Sequence, residues 1–329
     1  MVRAFTLLLA APAFAAPMPE LQAQLDRMAA AFPGRLGVGV LDLDSGATAA
    51  VRGQEPAPMA SVFKLPTAVA VLRRAQEQGL PLSTLVHAGF DERAPDWSPL
   101  APRIPPEGLD VSLDELLDLM VADSDNTAAD VLLRWLGSPV EVTRTLGRLG
   151  LNGIRVDRSE RSMAYALGGA TEPPVPEPLD ALLARIQAVP ASRKALALRS
   201  YSRDPRDQAS PEALVRLLSE LDAGRLLDAA HTRRLMEILR GARTGKRRLA
   251  AGLPASVTLA HKTGTLPSRG GFSAGINDVG IVDGDGRRLA IAVLVTDAHA
   301  PGERCEDLIA DVARAVWSAS PRPADAGAR

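Results

Sequence analysis

The stretch Ser61-Val62-Phe63-Lys64 opens a run of apolar residues with helical spacing that continues to Leu72. Ser61 and Lys64 are three positions apart, so a helix places their side chains on one face. A serine hydroxyl becomes a strong nucleophile when a neighbouring base takes its proton, and a lysine with a lowered pKa can be that base whereas an arginine cannot. Lys64 is one of only four lysines among 38 Lys and Arg residues, so this lysine stands out against the composition.

Two later stretches extend the pattern. Ser124-Asp125-Asn126 follows an apolar run and precedes a second helical pattern, and Lys262-Thr263-Gly264 lies in a strand-like segment. The order S-x-x-K, S-D-N, K-T-G resembles the serine β-lactamase and penicillin-binding-protein superfamily. Within it the chain resembles class A β-lactamases from about residue 20 to residue 320. The resemblance is strongest at Met59–Leu65, Ser124–Asn126, Arg155–Glu160 and His261–Thr265.

Composition limits the classes of partner. The chain has 329 residues, 46% of them hydrophobic, and a formal net charge of −1. It can therefore build a sizeable core, and nothing in its charge predicts a nucleic-acid partner. The single cysteine, Cys305, excludes an internal disulfide, and the four histidines have no metal-ligand spacing. We expect a monomer without a metal or another cofactor.

The N-terminus has the pattern of a secretory signal peptide. Met1-Val2-Arg3 is followed by the apolar stretch Ala4–Phe14 and an A-x-A end, Ala13-Phe14-Ala15. This pattern predicts a signal peptide over residues 1–15, cleaved after Ala15. The mature protein is then expected to be secreted or periplasmic. No other apolar run reaches the length that spans a membrane, so no membrane association is predicted.

Strand and helix patterns predict an α+β protein. The predicted strands are Arg35–Asp44, Thr48–Arg52, Val257–Thr265, Gly275–Val282 and Leu289–Thr296, followed by a helix over Glu303–Ser318. We expect one antiparallel sheet flanked by helices, with a mostly helical domain inserted. The α/β domain is predicted over 16–59 and 240–329, and the helical domain over 60–239. The latter includes a long, mostly irregular loop over 151–210, where glycines and prolines interrupt helices.

The resemblance assigns catalytic roles to five side chains. Ser61 would be acylated by the lactam carbonyl, and Lys64 would share its proton network. Ser124 would pass a proton to the leaving lactam nitrogen, assisted by Lys262. Glu160 lies 36 residues after Ser124, as in class A enzymes, and would activate the water that hydrolyses the acyl-enzyme.

The resemblance also implies substrate contacts. The expected substrate-binding residues are Trp97, Asn126, Arg248, Thr263 and Thr265, of which Arg248 and Thr263 would bind the substrate carboxylate. Trp97 would form an aromatic wall. The oxyanion hole would use the backbone N–H groups of Ser61 and Thr265. Arg158 and Asp207 would form the salt bridge that closes the loop bearing Glu160.

The loop departs from the class A pattern. Ala164 stands where an asparagine usually helps to hold the hydrolytic water, and Arg161 and Ser162 replace a proline and an acidic residue. The loop from Arg158 to Asp207 is far longer than usual. We therefore expect slow or narrow β-lactam turnover.

These observations predict a secreted serine hydrolase that opens the β-lactam ring of penicillins and cephalosporins, and so confers antibiotic resistance. Two alternatives stay open. One is a D-Ala-D-Ala peptidase or related penicillin-binding enzyme, which needs no Glu160. The other is a penicillin-binding receptor on the same fold that acylates once or not at all.

Overall fold

The computed structural model describes residues 15–320. The strands are β1 (Ala15–Pro17), β2 (Arg35–Asp42), β3 (Ala47–Val51), β4 (Ala57–Pro58), β5 (Leu85–Ala88), β6 (Leu109–Ser112), β7 (Gln208–Ala209), β8 (Thr258–Thr265), β9 (Ser268–Arg269), β10 (Phe272–Gly284) and β11 (Arg287–Ala298). The α-helices are α1 (Pro19–Ala31), α2 (Lys64–Gln78), α3 (Leu113–Val121), α4 (Asn126–Trp135), α5 (Val140–Arg148), α6 (Glu160–Gly168), α7 (Leu179–Gln187), α8 (Ala191–Ser200), α9 (Pro211–Asp222), α10 (Ala229–Arg240), α11 (Leu249–Gly252) and α12 (Gly302–Ala319).

The main sheet is built from both ends of the described chain. Its strand order is β1-β3-β2-β11-β10-β8, with β9 paired to β10. Every pairing is antiparallel except that of β1 with β3. Asp285 and Gly286 both have positive φ in the hairpin between β10 and β11, as the favoured two-residue turn requires. The predicted antiparallel α+β architecture is confirmed.

Strand β11 is apolar on both faces because helices cover both sides of the sheet. Ile291 and Val293 pack with residues of α1 and α12, whereas Ala292 and Leu294 pack with residues of α9 and the central helices. The core that contains Ala292 and Leu294 also surrounds α2, which is buried along most of its length. Helix α2 therefore forms a rigid axis, and Ser61 lies at the turn that leads into it.

The prediction of a mostly irregular segment over residues 151–210 is wrong in part. The segment contains α6, α7 and α8. Gly169 ends α6 with a φ of +67°, and Pro178 and Pro190 directly precede α7 and α8. The prolines thus separate short helices and do not prevent them, because proline is tolerated at a helix start.

Two other predictions keep their status. The predicted signal peptide, residues 1–15, lies outside the described residues except for Ala15. The division into domains at residues 59/60 and 239/240 stays a prediction, and α9 from the middle segment packs on β2 and β11. Within residues 15–320, no helix is long and apolar enough to cross a membrane.

Candidate active site

One cleft of about 700 Å³ brings the sequence-predicted residues together. Eight of the ten line it: Ser61, Trp97, Ser124, Asn126, Glu160, Arg248, Thr263 and Thr265. The other two, Lys64 and Lys262, are 0% and 1% exposed and contact lining residues from beneath. The cleft therefore has a dry, positively charged floor below a serine hydroxyl.

Ser61 lies in a 3-10 turn, Ala60–Phe63, that is fixed from the sheet. Asn277 of β10 is fully buried and its Nδ2 donates to the carbonyls of Pro58 (2.9 Å) and Met59 (3.0 Å). Ala60 has a φ of +48°, a conformation that costs a non-glycine residue free energy. The bonds from Asn277 hold this strained turn in place.

Gly264 lets strand β8 cross close to the serine turn. A Cβ atom at this position would overlap the carbonyl oxygen of Met59 and would lie 3.1 Å from the backbone nitrogen of Val62. Gly264 and Asn277 are register partners. The close approach brings β8, which ends at Thr265, against the turn that carries Ser61.

Lys64 is bound to three groups on the cleft floor. Its Nζ donates to Oδ1 of Asn126 (2.6 Å) and to the carbonyl of Ser124 (2.7 Å). It also lies 2.8 Å from Oε1 of Glu160. The ammonium group of Lys64, at the start of α2, therefore connects the serine turn with Glu160 at the start of α6.

Ser124 presents its hydroxyl to the second lysine. Oγ of Ser124 accepts from Nζ of Lys262 at 2.9 Å, and Ser124 has a φ of +63°. The bond from Lys64 to its carbonyl stabilises this unfavourable backbone conformation. The adjacent Asp125 caps α4 and accepts from the backbone N–H of Leu100, so the turn is anchored on both sides.

The environment of Lys262 weakens its hold on its proton. Burial, followed by the nearby charge of Lys64, holds the pKa of Lys262 well below its ordinary value. Nζ of Lys262 donates to the carbonyl of Thr263 at 3.0 Å. The hydroxyl of Thr263 lies 2.6 Å from that of Thr244. Lys262 and Thr263 thus present donors along one edge of the cleft.

Glu160 begins α6 and is held through its backbone. The carboxylate of Asp130 accepts the backbone N–H of Glu160 (2.6 Å) and that of Arg161 (3.1 Å). Burial, together with the charge of Glu160, raises the pKa of Asp130 to about 7. Asp130 was not predicted from the sequence, because nothing local marks an aspartate inside a helix as an anchor for a distant loop.

Arg248 lies at the edge of the cleft but is largely committed to other groups. It is 6% exposed. Its guanidinium donates to Oγ1 of Thr265 (2.7 Å), to Glu306 (3.1 Å) and to the carbonyls of Gly264 and Asn277. Arg248 therefore positions Thr265 and adds positive charge behind it.

Trp97 forms part of the opposite rim. Trp97 is 62% exposed, and its indole nitrogen donates to the carbonyl of Asp123 at 2.7 Å. The backbone carbonyl of Trp97 also accepts from the N–H of Asn126. An anchored but open aromatic surface is suited to contact with an apolar part of a ligand.

The base of the loop is closed by the predicted salt bridge. Arg158 pairs with Asp207, and both side chains are buried. Asp207 also accepts the backbone N–H groups of Asp157 (2.7 Å) and Arg158 (3.0 Å).

Two departures from the class A pattern anchor the extra residues of this loop. The guanidinium of Arg161 donates to the carbonyls of Arg93 (2.6 Å) and Glu177. The hydroxyl of Ser162 donates to Glu172 at 2.7 Å. Arg161 and Ser162 therefore attach the inserted segment, the part of the chain between α6 and β7 that carries α7 and α8, to α6. These contacts explain why the two residues differ from those found in a loop of ordinary length.

The described residues contain no group of three His, Cys, Asp or Glu side chains that could hold a metal ion. His261 is buried and its Nδ1 lies 2.8 Å from Asp278, on the same face of β8 as Thr263 and opposite to Lys262. This pair forms part of the buried support of β8. The sequence-predicted catalytic groups gathered at the cleft are two serine hydroxyls, two lysines and a carboxylate.

A mixed α/β fold whose cleft gathers these groups is typical of serine hydrolases that work through an acyl-enzyme. A model of the β-lactamase enzyme family matches residues 20–320, and the chain belongs to that family. It is 31% identical to the carbapenem-hydrolysing β-lactamase KPC of Klebsiella oxytoca, over 86% of this chain and 83% of that protein.

Solved structures agree. A β-lactamase from Chitinophaga pinensis is 30% identical, with a TM-score of 0.77, over 92% of this chain and all of that one. The ancestral class A β-lactamase GNCA, of the last common ancestor of Gram-negative bacteria, is 31% identical, with a TM-score of 0.73. That match covers 91% of this chain and 100% of the ancestral one.

Proposed function

We propose that the protein hydrolyses β-lactams through an acyl-enzyme on Ser61, which is deacylated by water that Glu160 activates. The contact between Lys64 and Glu160 carries this proposal, because it joins the lysine of the nucleophile's motif to a carboxylate that can accept a proton, in one buried network. A peptidase that releases its acyl group without a carboxylate base has no need of this pair.

Acylation would begin with loss of the Ser61 proton into the Lys64–Glu160 network. The Ser61 oxygen would attack the lactam carbonyl, and the carbonyl oxygen would become negative beside the N–H groups of Ser61 and Thr265. Loss of one such donor in other enzymes costs about 3–4 kcal/mol. Ser124 would then give its proton to the leaving nitrogen, and Lys262, 2.9 Å from its oxygen, would replace that proton.

Substrate binding would rest on the carboxylate that penicillins and cephalosporins carry. Lys262, Thr263 and Arg248 offer positive charge and donors along one edge of the cleft. Asn126 would bind the substrate amide while its Oδ1 accepts from Lys64. Trp97 would pack against the apolar part.

Deacylation would be the slower half of the reaction. Ala164 supplies no amide beside Glu160 to hold the attacking water, and α7 and α8 pack beside α6, which Glu160 begins. We therefore propose slow or narrow turnover. We also propose export, with cleavage of the leader near Ala15.

The first test follows a chromogenic cephalosporin by absorbance and the intact mass of the protein over time. We expect many turnovers per protein and a transient adduct, both lost in Ser61→Ala. A persistent adduct without turnover would instead indicate a penicillin-binding peptidase or receptor. Rates for several penicillins and cephalosporins that match those of efficient enzymes would refute slow turnover.

A further inference from the structure

The inserted segment builds a second and a third pocket beyond the cleft. The second pocket, of about 170 Å³, shares Asp96, Leu167 and Pro267 with the cleft. The third, of about 630 Å³, shares Lys194, Leu198 and Arg269 with the second. Shared lining residues place the three pockets in a row, called the groove below, that starts at Ser61 and ends between α8 and the start of β10.

This groove has fixed walls. Glu177, before α7, accepts from the hydroxyl of Tyr165 (2.7 Å) and from both arms of Arg185 (2.8 Å each). At the other end, Leu198 and Tyr201 pack in one buried cluster with Phe272 of β10. The inserted helices are therefore attached to α6 and to the sheet.

The lining of the groove changes along its length. The second pocket is mostly apolar and includes Ala164, Gly168 and Ile186. Gly168 has no side chain because a Cβ would lie 2.7 Å from Ile186. An asparagine at position 164, the usual residue of the family, would bring a polar amide to this wall. Ala164 and Gly168 thus keep this wall apolar.

Charge is concentrated at the far end. Asp96 is the acidic residue of the second pocket, at its junction with the cleft. Lys194, Arg199 and Arg269 line the third pocket, which has no acidic lining residue. An anionic group on a ligand is therefore repelled by Asp96, where the groove meets the cleft. It is attracted by the three basic residues at the far end.

The direction of a bound substrate follows from β8. Its carboxylate would lie at Lys262 and Thr263, and its reacting carbonyl at the N–H of Thr265. The rest of the acyl group continues past the end of β8, toward Leu266 and Pro267 and into the groove.

We infer that this groove is a subsite for long acyl side chains that are apolar near the lactam and end in a carboxylate, which Lys194 and Arg269 bind. The inference rests on the proposed function and specifies its substrate class. It assigns a role to the inserted helices that the class A motifs do not include.

The test compares two penicillins of equal chain length, the adipoyl and the hexanoyl derivatives of 6-aminopenicillanic acid. They differ in a terminal carboxylate against a methyl group. For the wild-type protein we expect kcat/KM to be at least tenfold higher for the adipoyl compound, mainly through a lower KM. In the double variant Lys194→Met/Arg269→Gln this ratio should fall to about one, while the hexanoyl rate stays unchanged.

The control double variant, Arg216→Gln/Arg240→Gln, removes two exposed charges from α9 and α10, outside the groove. It should keep the tenfold preference. Equal rates for both penicillins in the wild-type protein would overturn the subsite while leaving the β-lactamase function intact. Loss of both rates in the groove variant would mean a structural role and would also overturn it. Absence of acylation by either compound would overturn the proposed function itself.

Discussion

The floor of the cleft and the wall of the groove beside it, which includes Lys194 and Arg269, are built in opposite ways. On the floor, Lys64 and Lys262 are buried and each is bound to several fixed groups. On the wall, Arg269 is exposed. Lys194 of α8 is partly exposed and donates to the carbonyl of Gln187 at the end of α7. Desolvated and anchored groups suit one unchanging reaction, whereas partly exposed charges suit recognition of a variable side chain.

Among the groups that support the site, the largest effect is expected where the floor has no room to adjust. In Gly264→Ala the new methyl group would overlap the carbonyl of Met59, so β8 and the serine turn must move apart. That shift displaces the oxyanion donors, and we expect kcat/KM to fall by about 10²–10³-fold. Steady-state kinetics with benzylpenicillin would measure the loss.

Gly147→Ala is the matched control for this variant. Gly147 lies in α5, and a Cβ there meets nothing within 4 Å. We expect unchanged kinetics and a gain in unfolding free energy of up to about 1 kcal/mol, because alanine is the better helix former. Wild-type kinetics in Gly264→Ala would show that the close approach of β8 does not set the oxyanion hole.

A medium effect is expected from the charge of Lys262. Since burial and the charge of Lys64 lower the pKa of Lys262, its proton is lost on the alkaline side at a pH below the ordinary 10.5. Above that pKa, each pH unit reduces the protonated fraction about tenfold. KM for a penicillin should rise correspondingly with pH.

Lys262→Arg tests this explanation, because arginine keeps its charge over the same range. Its KM should stay level between pH 7 and 10, whatever its absolute value. Parallel KM profiles for wild-type protein and variant would exclude Lys262 as the titrating group.

The smallest effect concerns the anchor of Glu160. Asp130 has a pKa of about 7 in the folded protein against 3.8 ordinarily, so between these values the folded state holds a proton that the unfolded state has lost. Stability from this group is therefore present in acid and is lost as pH rises toward 7. Asp130→Asn cannot titrate.

Urea unfolding at pH 5, 6 and 7 would measure the difference. The unfolding free energy of the wild-type protein should fall relative to that of Asp130→Asn by about 1 kcal/mol per pH unit. A constant difference across these pH values would show that Asp130 does not carry the proton.

Sequence reasoning reached the floor better than the wall, for a physical reason. Ser61, Lys64, Ser124 and Lys262 lie in short motifs whose spacing follows from one helix turn or one strand, and they meet in the cleft. The sheet was predictable as well, since alternating apolar residues and the Asp285-Gly286 turn are local signals.

The supports between distant segments were not predictable in this way. Asn277 and Gly264 are 13 residues apart in the chain, yet together they hold the serine turn across the sheet. Arg161 and Ser162 appeared in the sequence as departures from a pattern. Their role as anchors of the inserted segment depends on where Glu177 and Glu172 fold back.

The most direct test of the central claim measures the lifetime of the acyl-enzyme in Glu160→Gln. The amide keeps the size of the side chain but cannot accept a proton from water. With a general base removed, we expect deacylation to slow by about 10²–10⁴-fold, so that intact-mass spectra after mixing with benzylpenicillin show a stable adduct on Ser61. Glu160→Asp, which keeps a carboxylate, should retain measurable turnover. Undiminished turnover in Glu160→Gln would contradict the assignment of Glu160 as the base.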